Sequence, residues 1–482
     1  AVERPGEVAL SYGQRRLWFL ERLEGASGRY VIPLAVRLRG ELEVGALEAA
    51  LGDVVERHES LRTIFPERLG VARQEVLAGG AGRVRLSVGA VSEGELSGAL
   101  TAALQVGFDL SREVPLRAHL FALGGDEHVL LLLLHHIAGD GWSLGPLARD
   151  LSLGYGARLG GCAPDFAPLA VQYADYTLWQ QALLGDENDG GSVLARQLSY
   201  WRDRLSGLPE QIALPSDRGR PAVASYRGGI VEFGLSGALH GRLLELARAQ
   251  GASLFMVLQA GLAALLSRLG AGDDIAIGSP IAGRTDGALE DLVGFFVNTL
   301  VLRTDTSGNP SFRDLLGRVR ASNLEAYSHQ ELPFERLVEA LNPARSLSHH
   351  PLFQVMLALQ NNAAAELELA GLSARVEPVV GASAKFDLSV SLAEQRTADG
   401  SAGGLSGVME YASDLFDRAS VEVLAGRLVR LLEAAVAAPE VSIGRLEILS
   451  AAERRTLLQE WTATERALPG ATLPQLFAAQ AA

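Results

Sequence analysis

The hydrophobic pattern is sharpest at Val129–Leu134, six apolar residues in a row that run directly into His135-His136-Ile137-Ala138-Gly139-Asp140-Gly141-Trp142-Ser143. A run so short and so apolar predicts a strand buried on both faces. Leu116–Leu123 alternates imperfectly, and with Val129–Ile137 it predicts a hairpin around Gly124-Gly125-Asp126. Upstream, Ser11–Arg22 predicts a helix with Ser11 as its N-cap, Ile32–Arg39 a strand and Val44–Arg57 a helix. Downstream, Ser143–Leu159 predicts a helix capped by Ser143, with Pro146 in the first turn, where proline is tolerated. In the second half Leu235–Ala249 and Ser253–Leu269 carry helical periodicity, Ile275–Ile281, Leu300–Arg303 and Phe353–Gln360 read as strands, and Glu394–Gly404 reads as a loop. The most membrane-like stretch, Leu254–Leu266, is broken by Gln259 and Gly261. It is shorter than the roughly 20 residues a span requires, so it reads as a buried helix.

At 482 residues the chain exceeds one ordinary core. Strands and helices alternate in both halves, which predicts α/β (α+β) lobes. The polar, glycine-rich Gly185–Ser192 is the clearest linker, and the division expected is 1–180, 181–450, and a linker at 451–482 leading into a further domain. The net charge of -14 offers no electrostatic footprint for a nucleic acid or an anionic membrane. Cys162 stands alone, so no internal disulfide forms, and a reducing, cytoplasmic setting fits. The start lacks Met and an apolar signal core, and reads as cut from a longer chain. Of 43 Lys and Arg residues only Lys385 is lysine. A selected catalytic lysine is one reading; the wealth of Ala, Gly and Arg favours codon bias instead.

The chemistry concentrates at the histidines. Imidazole has the pKa best suited to proton transfer near neutrality. Neighbouring strand residues point to opposite faces, so His135 and His136 share a cleft only if the strand ends between them. One is then a candidate for chemistry and the other for scaffold. Asp140 could orient the histidine or pair with an arginine, and the helix that follows turns its positive end toward the loop. Adjacent strand histidines chelate metal poorly and no His-Glu-x-x-His helix is present, so no metal site is expected. Gly141-Trp142-Ser143-Leu144-Gly145 mimics a nucleophile elbow, but its serine lies several residues past the strand end.

Seven segments in order carry a family resemblance: Ser11–Leu20, Arg57–Phe65, His135–Ser143, Tyr173–Trp179, Val293–Arg303, His329–Glu335 and Arg345–Leu352, the last with His350 where the family usually has Asn. Together they resemble a condensation domain of a nonribosomal peptide synthetase. The resemblance implies two chloramphenicol-acetyltransferase-like lobes in a V-shaped pseudo-dimer, with an active-site tunnel at their junction. It implies peptide-bond formation between a donor thioester and the α-amine of an acceptor thioester. Both would be delivered on phosphopantetheine arms by upstream and downstream carrier proteins, with no cofactor bound by the domain itself. By the same resemblance His136 is catalytic, with His135, Asp140 and Gly141 beside it, and Asp140 forms a structural salt bridge with Arg62. Gly139, Trp142, Ser143 and Asn298 are tunnel candidates, a segment within Gly278–Asn298 floors the tunnel, and Phe386 and Asp387 belong to a latch between the lobes. Leu23–Pro33 and the Ile137–Asp140 loop resemble the subgroup that follows an epimerization domain and takes a D-configured donor and an L-configured acceptor. Thr472–Gln480 resembles the opening of an adenylation domain.

Overall fold

The computed structural model describes residues 4–25, 28–344, 346–360, 366–377, 379, 383–465 and 470–481. Ala26 and Ser27 of the subgroup segment and Arg345 of the seventh segment lie outside them. In chain order the strands of the two main sheets are β1 (Val31–Arg39), β2 (Leu86–Ala90), β3 (Leu116–Gly124), β4 (Glu127–His135), β5 (Gly228–Ser236), β6 (Asp274–Ile281), β7 (Asn298–Asp305), β8 (Val355–Gln360), β9 (Ser373–Val376), β10 (Leu388–Arg396) and β11 (Ala402–Ala412). One sheet has the order β9-β1-β4-β3-β2 and the other β7-β6-β8-β10-β11-β5. The α/β architecture read from the sequence is thus the one observed.

In the first sheet β4 is central. It pairs antiparallel with β1, Val31 opposite His135, and with β3, Leu116 opposite Leu134. Val129–Leu134 are buried on both faces, which is why the run is continuous rather than alternating. Helices α1 (Tyr12–Glu24), α2 (Val44–Arg57) and α3 (Leu144–Leu159) belong to this half. Ser11 caps α1 in a reciprocal box with Gln14. The second half packs its sheet against the helix Leu254–Leu266, buried at every position but Phe255, and against Arg418–Ala437.

Three departures from the sequence reading follow from long-range structure. A boundary at 180/181 would cut helix α4 (Tyr173–Leu184), which runs unbroken to the polar loop after it. The halves are also laced together: β9 pairs with β1, and Val293 sits in the first half's apolar core. Finally, Glu394–Gly404 is mostly strand, since β10 and β11 extend to a tight turn at residues 397–401.

Candidate active site

Strand β4 ends at His135, and a short 3-10 turn begins at His136. The change of backbone separates the two rings. His135 is fully buried; its Nδ1 accepts the Ile137 N–H at 3.1 Å, which places its proton on Nε2, 3.7 Å from Glu21 Oε2. Its ring meets the edge of Phe108. His135 is therefore scaffold. His136 is half-buried, with its ring edge-on to Phe295 at 6.0 Å and its Nδ1 buried without a hydrogen-bond partner. Burial holds its pKa well below the usual imidazole value, the charge of Lys385 and then His135 adds to this, and the Gly139 backbone opposes weakly. The ring is thus a free base at neutral pH.

Asp140, 1% exposed, does not touch His136's chemistry through a shared bond; it ties the loop to the other half. Its Oδ1 accepts from Ser143 N (3.0 Å) and Ser143 Oγ (2.9 Å), and its Oδ2 from Phe296 N (2.9 Å) and Val297 N (3.2 Å). Its cationic partner is Arg284 at 3.5 Å, not Arg62. Arg62 instead donates to Leu77 O at 2.6 Å and lies 3.9 Å from Glu59. The expected Asp140–Arg62 bridge is therefore corrected to Asp140–Arg284. Arg284, itself buried, also donates to Leu289 O and Leu292 O and covers the Phe296 ring at 4.3 Å. It fell inside the expected floor segment, but no pattern singled it out among the arginines.

Ser143 is not the helix cap the sequence suggested. It has helical backbone angles and makes no side-chain cap to α3. Its hydroxyl is engaged by Asp140, Gly294 and Arg284, and the residue is fully buried, which also removes it as a nucleophile. Gly141 and Trp142 form the 3-10 turn that Asp140 caps. A Cβ on Gly139 would lie 2.4 Å from Leu134, so only glycine fits there. Gly294 is required in the same way, because a Cβ would meet the Tyr173 ring at 2.3 Å. The Tyr173 hydroxyl fixes the neighbouring segment by donating to Phe295 O. Helix α1 closes the site, Gln14 donating to Ile137 O.

Asn298 holds backbone rather than open space. Its amide donates to Gln330 O and Leu332 O and its oxygen accepts from Phe334 N, while it also lines a cavity of about 50 Å³ with Phe296, Glu331 and Glu335. That cavity is not lined by His136. Asp387 pairs with Arg220 within the second half (2.9 Å), and Phe386 packs on His350 and Phe353. The reach across the halves here comes from Arg16 of α1, which contacts Glu335 and His350.

The comparisons with known proteins agree. The condensation-domain family profile matches residues 5–458. The chain is 56% identical over its whole length to part of a dimodular nonribosomal peptide synthase of Bacillus subtilis, covering 20% of it. It is 57% identical over 99% of its length to part of a probable non-canonical nonribosomal peptide synthetase of Salinispora arenicola, covering 6%. The chain thus spans a fifth or less of these relatives. Among solved structures, the X-domain from teicoplanin biosynthesis superposes with a TM-score of 0.87 and 41% identity, over 93% of this chain and 99% of that one. The first condensation domain of the calcium-dependent antibiotic synthetase shares the fold, with a TM-score of 0.74 at 21% identity over 92% of this chain and 100% of that one.

Proposed function

The chain belongs to the condensation-domain family, and from that premise we propose that it forms peptide bonds in nonribosomal peptide synthesis, with His136 as the residue at the reacting amine. The observation that carries this reading is the break between β4 and the turn, which buries His135 and leaves a free-base imidazole on the half-open side of the loop.

The chemistry suits so simple a site. An α-amine has a pKa of about 8, so about a tenth of it is already nucleophilic at pH 7. Holding amine and thioester in attack geometry supplies roughly 7–11 kcal/mol. The amine nitrogen bonds the donor carbonyl carbon, the C–S bond breaks, and the nitrogen's proton passes through His136 to the leaving thiolate. Asp140, Arg284 and Ser143 keep the loop in place and take no proton. The substrates arrive on phosphopantetheine arms of an upstream and a downstream carrier, through a tunnel past Gly139, Trp142 and Asn298. The neighbouring domains in this reading are an epimerization domain before it and an adenylation domain after it, in a cytoplasmic synthetase.

The donor preference proposed is D at the peptide terminus, with an L acceptor. The test mixes the protein with a carrier bearing a D-ended or an L-ended donor peptide and a carrier bearing an L-aminoacyl group, and reads the acceptor carrier's mass. Extension from the D-donor alone supports both activity and preference. Extension from both donors discards the preference, and extension from neither discards the activity.

A second reading has one observation behind it. The teicoplanin X-domain, which this chain resembles closely, has been solved in complex with OxyB. A recruiting platform of that kind would bind a partner enzyme without turnover, so the same mass measurement separates the two.

A further inference from the structure

His58 is buried in the first half, directly after α2, and the chemistry described above gives it no task. Its ring joins two partners. Nε2 donates to Asp150 Oδ2 of α3 at 2.9 Å, which leaves Nδ1 as an acceptor, and Nδ1 takes the Val293 N–H at 3.4 Å. Serving Asp150 does not explain the histidine. That buried carboxylate already accepts from Arg57 Nε at 2.7 Å and from Arg149 Nε at 3.0 Å. The other side of the ring is where it is needed. Val293 lies between β6 and β7 of the second sheet, yet it is buried in the first half's core. A buried backbone N–H requires an acceptor, and His58 Nδ1 supplies it. Two residues along, Ser60 Oγ donates to Val293 O at 2.6 Å. The turn after α2 thus holds both backbone groups of Val293. From there the chain runs to the histidine loop. Gly294 N donates to the Ser143 hydroxyl, and Phe296 N and Val297 N donate to Asp140. Between these points Phe295 sets its ring edge-on to His136 at 6.0 Å. The segment is pinned by His58 on one side of Phe295 and by Asp140 on the other.

We propose that His58 is a positioning residue for the condensation step: oriented by Asp150, it holds Val293 through Nδ1 and so fixes where Phe295 stands against the His136 ring. This rests on the condensation reading above. His58 touches no reacting atom; it acts through the backbone from Val293 to Phe295. Two substitutions separate the acceptor atom from the rest of the ring. Asparagine puts its Oδ1 where an imidazole carries Nδ1 and keeps an acceptor for the Val293 N–H, while giving up the bond to Asp150. Leucine fills the space and offers no acceptor. Lost packing and the lost Asp150 bond are common to both.

The test compares wild type, His58→Asn and His58→Leu. In protein labelled at histidine Cε1, the NMR line of His136 is assigned by its loss in His136→Ala and reports the ring current of Phe295 without substrate. That line moves in His58→Leu and keeps its wild-type position in His58→Asn. In single turnover with loaded carriers, His58→Leu extends the acceptor about 10–100-fold more slowly, with the half-saturating acceptor concentration unchanged. His58→Asn extends it near the wild-type rate. A His58→Leu protein with the wild-type His136 line overturns the proposal, as does a His58→Asn protein as slow as His58→Leu. If His58→Leu does not fold, His58→Asn decides alone, and a displaced His136 line there overturns the proposal. A wild-type protein that makes no peptide ends the condensation reading, and the His136 line in the variants still decides whether His58 places Phe295.

Discussion

Replacing Asp140 by alanine tests the division of labour in the loop. The wild-type carboxylate answers five donors: Ser143 N and Oγ, Phe296 N, Val297 N and the Arg284 guanidinium. The variant takes that partner from three backbone N–H groups, one hydroxyl and one guanidinium; Ser143 N and Oγ keep Asp140 O and Gly294 O, so Phe296 N, Val297 N and the guanidinium lose most. Breaking a buried pair by removing one member costs about 3–5 kcal/mol, with each orphaned N–H contributing about 1–3 within that sum. Over a cooperative unit the size of one half, at about 2–4 °C per kcal/mol, the melting temperature should fall by about 6–20 °C. Arg284→Met should lower it by a comparable amount, because it leaves the buried Asp140 charge without its counter-ion, although the four neutral donors remain. Arg62→Met removes only the bond to Leu77 O and should cost about 1 kcal/mol. His136→Ala removes a half-buried ring whose Nδ1 makes no hydrogen bond and should also cost about 1 kcal/mol. Calorimetric melting of the four variants decides. An Asp140→Ala protein that melts with the wild type, or an Arg62→Met protein as destabilised as Arg284→Met, refutes the assignment of Arg284 as the partner of Asp140.

Stability should also fall with acid well before the carboxylates titrate. His58, His136 and His350 are held neutral by burial, His350 down to about 3, whereas the unfolded chain protonates them near the usual imidazole value. The unfolded state therefore binds more protons as pH drops below about 6.5, and each such ring removes up to about 1.4 kcal/mol per pH unit; a denaturant midpoint that stays flat from about pH 7 to about pH 5 would contradict this. Gly294→Ala should push the Phe295–Val297 segment away from Asp140, since its Cβ would meet the Tyr173 ring. Turnover should then drop far more than the melting temperature of the isolated mutation suggests, and a variant with wild-type turnover removes this segment from the site.

The parts of this site that were legible in the sequence are those written locally. The apolar run of β4 and its abrupt end at two histidines announced a core strand, a turn and a split between scaffold and chemistry, and the backbone change at His136 supplies that split. Ser11 likewise announced the N-cap of α1, to which the structure adds the reciprocal bond from Gln14. What escaped depends on contacts between distant segments. Arg284 reaches Asp140 only through the path that carries residues 284–297 across to the first half. Strand β9, four exposed residues, has no periodicity to betray it and exists because β1 offers an open edge. Ser143 looked like a helix cap because it precedes a helix, but Asp140 takes that task one turn earlier and frees the hydroxyl to bind Gly294. Lys385 was rare enough to notice, yet nothing near it in sequence reveals that it faces Tyr30 of the first half.

The central claim is that His136 assists bond formation without holding the fold, and single-turnover mass analysis of the acceptor carrier tests it most directly. With loaded donor and acceptor carriers, the wild-type protein should extend the acceptor by the mass of the donor acyl group. His136→Ala, melting within a few degrees of wild type, should be slower by about 10²–10⁴-fold. A His136→Ala protein that extends the acceptor at the wild-type rate would contradict the account.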